Sequence, residues 1–258
     1  MSAVQPGRAA DDWEEHWSDY SDSASLNPAQ DYRRRIIRRL LAARPGSRIL
    51  DVGSGQGDQA AELLGAHPTA RVLGVELSVS GIEVAQRKVP DAVFLQHDLN
   101  QPLDPPDEYR GWATHAVCSE VLEHLDEPDL LLRNIQPLMA PGCRLVVTVP
   151  GGPRSAFDRH IGHRKHYTPD ALRGLLSRAG FDVELASGAG FPFFNLYRLT
   201  VVARGDKLID DVAGDSAQVS GTARAAMRAF DVLFKANLPQ SRYGWQIVAV
   251  ALAPALQN

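Results

Sequence analysis

The sequence predicts an α/β domain, doubly wound around a mostly parallel sheet, and three observations predict it. Between residues 48 and 187 short apolar runs alternate with segments of helical periodicity. The first run ends in a glycine-rich turn, Gly53-Ser54-Gly55-Gln56-Gly57. Polar groups then recur at the same end of successive strands, with Glu76, Asp98, and Ser119 with Glu120 following the glycine turn. In an open α/β sheet that end carries the ligand crevice.

The elements follow in order. Residues 1–31 hold seven acids and one base, Arg8. Trp13, Trp17 and Tyr20 lie among those acids and need a surface to pack on, which suggests a lid. Asn27 is placed to cap a helix with Pro28 in its first position. Tyr32, Ile36 and Leu40 give that helix its apolar spacing, and five interspersed arginines give it a solvated or anion-binding face. RILDV (48–52) is the first strand, and 58–66 the helix after it. RVLGVEL (71–77) is the second strand, followed by a helix capped by Ser80 and running to about Lys88. AVFLQHDL (92–99) and ATHAVCSE (113–120) are the third and fourth strands. Asp126 caps a helix that has Pro128 in its first turn. CRLVVTVP (143–150) is an almost unbroken apolar run, as buried parallel strands show.

Thr168-Pro169 opens a helix that Gly180 closes, FDVELAS (181–187) is a sixth strand, and WQIVAVALA (245–253) a last one. The segment between the last two strands, about 55 residues, is too long for a plain connection. Helical spacing over Phe193–Arg204 and Thr222–Lys235 makes it an insertion. The organisation is therefore a lid and helix over 1–44, a core over 45–187, a helical insertion over 188–242, and a final core strand over 243–258.

Composition narrows the function classes. The 258 residues are 44% hydrophobic and 22% charged with net charge −4, which is ordinary for one globular unit and gives no basic surface for long nucleic acid. No basic-then-apolar leader and no apolar run of spanning length is visible, so a cytoplasmic location is expected. Cys118 and Cys143 fall at opposite ends of neighbouring strands, roughly 15–20 Å apart at the rise of a strand. They should be buried free thiols.

A glycine-rich turn alone could be a dinucleotide fingerprint, a methyl-donor loop or a plain turn. The dinucleotide pattern is G-x-G-x-x-G, and this loop reads G-x-G-x-G. Glu76 is placed to accept hydrogen bonds from both hydroxyls of a ribose, and Asp98 to meet an adenine amino group.

With DVGSGQGD, GVELS, QHDL and CSEVLEHL in this order and spacing, the chain resembles the class I S-adenosylmethionine-dependent methyltransferases. It looks like the type 11/12 members, similar to the ubiquinone-biosynthesis O-methyltransferases. The resemblance covers roughly residues 45–187 and the final strand. It implies a Rossmann-like, seven-stranded sheet whose last strand is antiparallel. It implies S-adenosylmethionine as cofactor, with Gly53, Ser54, Gly55 and Gly57 along its methionine part and Asp51 organising the loop and the amino group. Glu76 and Leu77 would hold the ribose side, Asp98 and Leu99 the adenine, and Ser119 the mouth of the site.

Two segments should face the transferred methyl group: Ser119–His124 after the fourth strand and Pro150–Tyr167 after the fifth. The donor is already activated, so alignment of the acceptor matters most, and a base is optional. His160, His163 and His166 lie in the second segment. His163 is the first candidate for a base, His124 the second, and Glu120 stands beside them. Each histidine could instead be part of a polar loop. The pattern Glu120-Val121-Leu122-Glu123-His124 with Arg159-His160-Ile161-Gly162-His163 is similar to the metal-binding pattern of small-RNA 3′-terminal 2′-O-methyltransferases. That resemblance would make Glu120, Glu123, His124 and His163 ligands of a divalent cation. The favoured expectation is an enzyme without metal, methylating a small-molecule acceptor at oxygen, with RNA not favoured. Methylation at nitrogen or carbon, cyclisation with the same cofactor, and a non-catalytic binding subunit are the alternatives. The apolar run Phe191–Arg204 is expected to cover the acceptor or pair two copies, to touch a membrane surface, or simply to pack into the core. A monomer and a homodimer both fit.

Overall fold

The computed structural model describes residues 28–204 and 221–254. The acidic segment with Trp13, Trp17 and Tyr20, and the proposed Asn27 cap, lie outside the described residues.

Side-chain alternation along the strands builds two cores, one on each face of the sheet. Leu50 and Val52 of β1 (Arg48–Val52), Leu73 and Val75 of β2 (Arg71–Glu76), and Ala116 and Cys118 of β4 (Ala113–Ser119) point into one core. Their neighbours Ile49, Val72 and Val117 point into the other. β5 (Met139–Pro150) and β7 (Gln246–Leu252) divide in the same way. Helices α1 (Pro28–Leu41), α2 (Asp58–Ala66) and α3 (Val79–Lys88) close the second core with Ile37, Leu41, Ala60, Leu63, Ile82 and Ala85. Helices α4 (Pro128–Asn134) and α6 (Pro169–Arg178) close the first with Leu131, Leu132, Leu172, Leu175 and Leu176. The doubly wound α/β expectation is met.

The sheet has seven strands in the order β3-β2-β1-β4-β5-β7-β6, with β3 at Val93–Gln96 and β6 at Asp182–Ala189. Only β7 runs antiparallel to its neighbours, β5 and β6. Between β1 and β4 the order reverses, so the loops leaving these two strands diverge and open a crevice at their carboxyl ends. A short helix α5 (Ala156–His160) sits in the loop after β5, its Ser155 and Asp158 forming a reciprocal cap. The insertion contributes α7 (Phe193–Arg204) and α8 (Gly221–Phe234). Phe194 and Phe234 from these helices pack on Tyr32 of α1 as a third, smaller cluster over the crevice.

Four local expectations are corrected. β3 ends at Gln96, so Asp98 and Leu99 lie in the loop after it and not in the strand. Ser78, not Ser80, caps α3 by accepting from the Gly81 N–H at 3.0 Å. Glu127, not Asp126, occupies the cap position of α4, without a side-chain cap bond, because Asp126 is drawn into an ion pair with Arg164. β2 ends at Glu76, leaving Leu77 outside the strand and 43% exposed. The cysteines are free and buried: Cys118 lies opposite Val147, and Cys143 sits near the other end of β5. Burial pushes both thiols up, Cys143 to about 12, so they stay protonated.

Candidate active site

A cleft of about 670 Å³ opens at the carboxyl ends of β1, β2 and β4 and runs under α1, α7 and α8. Its lining includes Asp51, Gly53, Ser54, Gly55, Glu76, Leu77, Asp98, Leu99, Ser119, Glu120, His124 and His163. Sequence reasoning also named Gly57, Glu123 and His160. Gly57 opens α2 in the left-handed conformation, Glu123 lies behind the wall, and His160 is exposed at the end of α5.

One half of the cleft is made by the first three strands. The Gly53 and Ser54 N–H groups donate to the Val75 carbonyl at 2.9 and 3.2 Å, folding the turn back over β2. Gly53 has φ +67, and a Cβ there would stand 2.6 Å from Val121, so only glycine fits. Glu76 is buried and accepts from the Gly55 N–H at 2.8 Å and the Ser78 N–H at 3.0 Å. A carboxylate has lone pairs beyond these two, so Glu76 can brace the loop and still receive further donors. Asp98 turns its carboxylate onto the N–H and side chain of Asn100 at 2.9 and 3.0 Å. Asp51 is 2% exposed, and its Oδ2 has no hydrogen-bond partner among the described residues. Burial, and then the charges of Glu76 and Asp58, push it up to about 7. That carboxyl is placed for a cation.

The other half follows β4 and β5. Glu120 has φ +58, unusual for a residue with a side chain. Its N–H donates to the Thr148 carbonyl at 2.9 Å. Its Oε1 accepts from Thr148 Oγ1 at 3.1 Å and Gln246 Nε2 at 3.0 Å, and its Oε2 pairs with Arg33 at 3.1 Å. Ser119 Oγ meets the same Thr148 hydroxyl at 2.9 Å. Glu120 thereby ties α1 to β5 and β7.

Beyond it lies a buried group of acids and imidazoles. Glu123 is fully buried, and neither of its oxygens has a hydrogen-bond partner among the described residues. Burial and the Glu120 charge push its carboxyl far up. His163 Nε2 stands 4.0 Å from Glu123 Oε1, and its ring meets His124 edge-on with centroids 4.7 Å apart. Donor atoms of Glu123, His124 and His163 all lie within 4.8 Å of one another. Burial, and then His124, lower His163 to about 3. Asp158, 1% exposed, lies behind, held by Ser155 and by Arg198 of α7 at 2.8 and 3.0 Å. The Arg164 N–H donates to the Glu123 carbonyl at 2.7 Å and Tyr167 Oη to the Leu122 carbonyl at 3.0 Å, which locks the two loops together.

Sequence reasoning did not single out Arg33, Thr148, Asp158, Arg198 or Gln246 as site residues. Two signals were present: Ser155 and Asp158 have capping-box spacing, and Gln246 interrupts an otherwise apolar strand.

With this geometry in view, the sequence matches the family described as "Methyltransferase domain" over residues 27–186. An O-methyltransferase, cnsE of Penicillium expansum, is 30% identical over 179 residues, covering 65% of this chain and 64% of its own. A ubiquinone biosynthesis O-methyltransferase of Xanthomonas campestris is 32% identical over 137 residues, covering 52% of this chain and 54% of its own. The chain spans about half to two thirds of the length of several curated relatives, from 50% to 64%. Among solved structures, the [4+2]-cyclase SpnF shares the fold with a TM-score of 0.65 at 17% identity, covering 99% of this chain and 100% of that one.

Proposed function

The chain belongs to the class I S-adenosylmethionine-dependent methyltransferases, and from that premise we propose that it methylates an oxygen of a small-molecule acceptor held beneath the insertion helices. One observation carries this reading. A single cleft joins the glycine turn and Glu76 to His163 and to an apolar end formed by Phe157, Tyr197, Phe230 and Trp245. Donor and acceptor can therefore meet in one enclosure.

In this reading the donor's ammonium faces Asp51, its ribose Glu76 and Leu77, and its adenine Asp98 and Leu99. The buried carboxyl of Asp51 needs a cation to ionise fully, and the donor brings one. Glu120 acts as a clamp on Arg33, since both of its oxygens are engaged. His163, kept neutral by burial, meets the acceptor hydroxyl as a hydrogen-bond acceptor and orients it toward the methyl group, with His124 against its ring. The O-methyltransferases among the curated relatives favour oxygen as the acceptor atom. The SpnF likeness keeps cyclisation as the outcome that would replace methyl transfer.

A second reading concerns a metal, and the unpartnered Glu123 carboxylate favours it. The 4.0 Å from His163 Nε2 to Glu123 Oε1 is too long for a hydrogen bond. The two atoms are therefore not bonded to each other, and both could serve a single cation. Glu123, His124 and His163 would hold a divalent cation, which would supply positive charge to an acceptor hydroxyl. Glu120, bound elsewhere, would not join them.

The test is mass spectrometry of a metabolite extract incubated with the protein and methyl-labelled donor, beside calorimetry with S-adenosylhomocysteine and with NAD. A labelled methoxy product is expected. Binding of NAD alone defeats the reading, and a labelled amine or carbon replaces its acceptor atom. Metal content together with chelation of the active protein decides the second reading; activity unchanged by chelation removes it.

A further inference from the structure

The two buried histidines after β5 are joined in a way the methyl-transfer reading does not require. We propose that His166 is a positioning residue that sets the tautomer of His163, placing a hydrogen on His163 Nδ1 and leaving the Nε2 lone pair bare toward Glu123 and His124. The proposal rests on the reading of His163 as the group that meets the acceptor.

A backbone carbonyl can only accept a hydrogen bond. His166 Nδ1 lies 3.1 Å from the Gly152 carbonyl oxygen, so Nδ1 carries a hydrogen. A neutral imidazole has one N–H, so His166 Nε2 is then an acceptor. That atom lies 3.3 Å from His163 Nδ1, which must donate. His163 then has no hydrogen left for Nε2, the atom that stands 4.0 Å from Glu123 Oε1. Each ring's free choice between two tautomers is removed by the partner before it.

The Gly152 carbonyl is itself fixed. Gly152 has φ +70, and a Cβ there would stand 2.5 Å from the Trp245 ring, so the turn that aims the carbonyl admits only glycine. Asp158 is the competing acceptor. Its oxygens lie 3.8 Å from His163 Nδ1 and from His166 Nε2, outside hydrogen-bond reach. They are already taken by the Ser155 N–H and hydroxyl at 2.7 Å and by Arg198. The carbonyl therefore decides the order of protons.

The consequence is chemical. A bare Nε2 can accept a hydrogen bond from an acceptor hydroxyl, or bind a cation, without first losing a proton of its own. The opposite tautomer can do neither at Nε2. The device works the same way for both readings of the site, because both use that lone pair.

The experiment is long-range proton–nitrogen NMR of the full chain labelled with ¹⁵N-histidine, with His163→Gln used to assign the His163 ring. The expected result is a His163 ring with a protonated Nδ1 and an imine-type Nε2. His166→Phe, which removes the acceptor, should turn that ring into an Nε2–H or averaged species. His166→Gln, whose side-chain carbonyl can accept, should restore the Nδ1–H form. An Nε2–H or averaged ring in the unaltered protein overturns the proposal, as does a His163 spectrum that His166→Phe leaves unchanged. Calorimetry with S-adenosylhomocysteine runs beside it. Loss of that binding in the unaltered protein counts against the methyltransferase reading and leaves the tautomer result to stand alone.

Discussion

The loops after β1, β2 and β3 are held mainly by groups of these strands and the turns that follow them, whereas the loops after β4 and β5 are held by side chains that arrive from distant parts of the chain. On the first side the glycine turn is held by its own N–H groups, with Val75 and Glu76 as acceptors. On the second side Glu120 is held by Arg33 and Gln246, and Asp158 by Arg198. The first side is a seat whose shape is set locally. The second depends on side chains from α1, α7 and the final strand being in place.

The largest effect expected from breaking this contrast lies on the second side. Arg198→Ala leaves the Asp158 carboxylate buried without its cation, which typically costs about 3–5 kcal/mol. A clear fall in thermal midpoint is expected, with affinity for S-adenosylhomocysteine little changed in the protein that remains folded. Equal loss of donor affinity would show that the two sides are one unit. Next comes the glycine turn. Gly53→Val puts a branched side chain at φ +67 and against Val121. Donor affinity should fall about 100-fold, equivalent to about 2.7 kcal/mol, while the melting temperature moves less than in Arg198→Ala. Donor affinity within threefold of the unaltered protein would refute the seat.

The contrast also explains what the sequence made legible. The succession of strands and helices, the cofactor turn and the position of Glu76 follow from local pattern: apolar runs, glycine spacing and a strand end. Helices α7 and α8 were legible from apolar spacing, within a residue at each end. The caps were not all so. Ser78 and Ser80 offer the same hydroxyl, and only the position of the first turn chooses between them. The histidine loop was legible as a cluster and not as a mechanism. His163 drew notice through its neighbours in sequence, but its order of protons depends on Gly152, and its surroundings on Asp158 and Arg198. Gln246 meets Glu120 across 126 positions and Arg33 across 213, distances at which no local pattern operates.

A smaller effect sharpens the donor side by pH. Asp51 in the folded protein titrates near 7, well above its usual value of 3.8. The ammonium of a bound donor favours the ionised carboxylate, so its pKa falls on binding. Below 7, binding must therefore release a proton, and affinity for S-adenosylhomocysteine should rise with pH, by up to about tenfold per unit, then level off above 7. Calorimetry at several pH values in buffers of different ionisation heat reads both affinity and proton release. Asp51→Asn should remove the dependence and bind more weakly at pH 8. The same shift works against stability. Unfolding frees Asp51 to ionise at its usual value, so the free protein loses stability as pH rises from about 4 to 7, and Asp51→Asn should flatten that slope. An affinity independent of pH between 5.5 and 8 would mean that the donor's amino group sits elsewhere.

The smallest effect separates position from mere charge. Lys88 and Asp58 form an ion pair at 3.0 Å on the outside of the donor side, with both side chains well exposed. It joins α2 to α3, the two helices that flank the glycine turn. If those helices needed a clamp, as α7 does through Arg198, Lys88→Ala would loosen the turn and weaken donor binding. Water already screens such a pair, and ordering two long side chains costs entropy, so pairs of this kind typically contribute about 0.2–1 kcal/mol. Lys88→Ala should lower stability by less than about 0.5 kcal/mol in denaturant titration and leave donor affinity unchanged. A larger loss would show that the donor side also depends on a side-chain clamp. The small loss expected places its rigidity in the bonds of the turn to Val75 and Glu76.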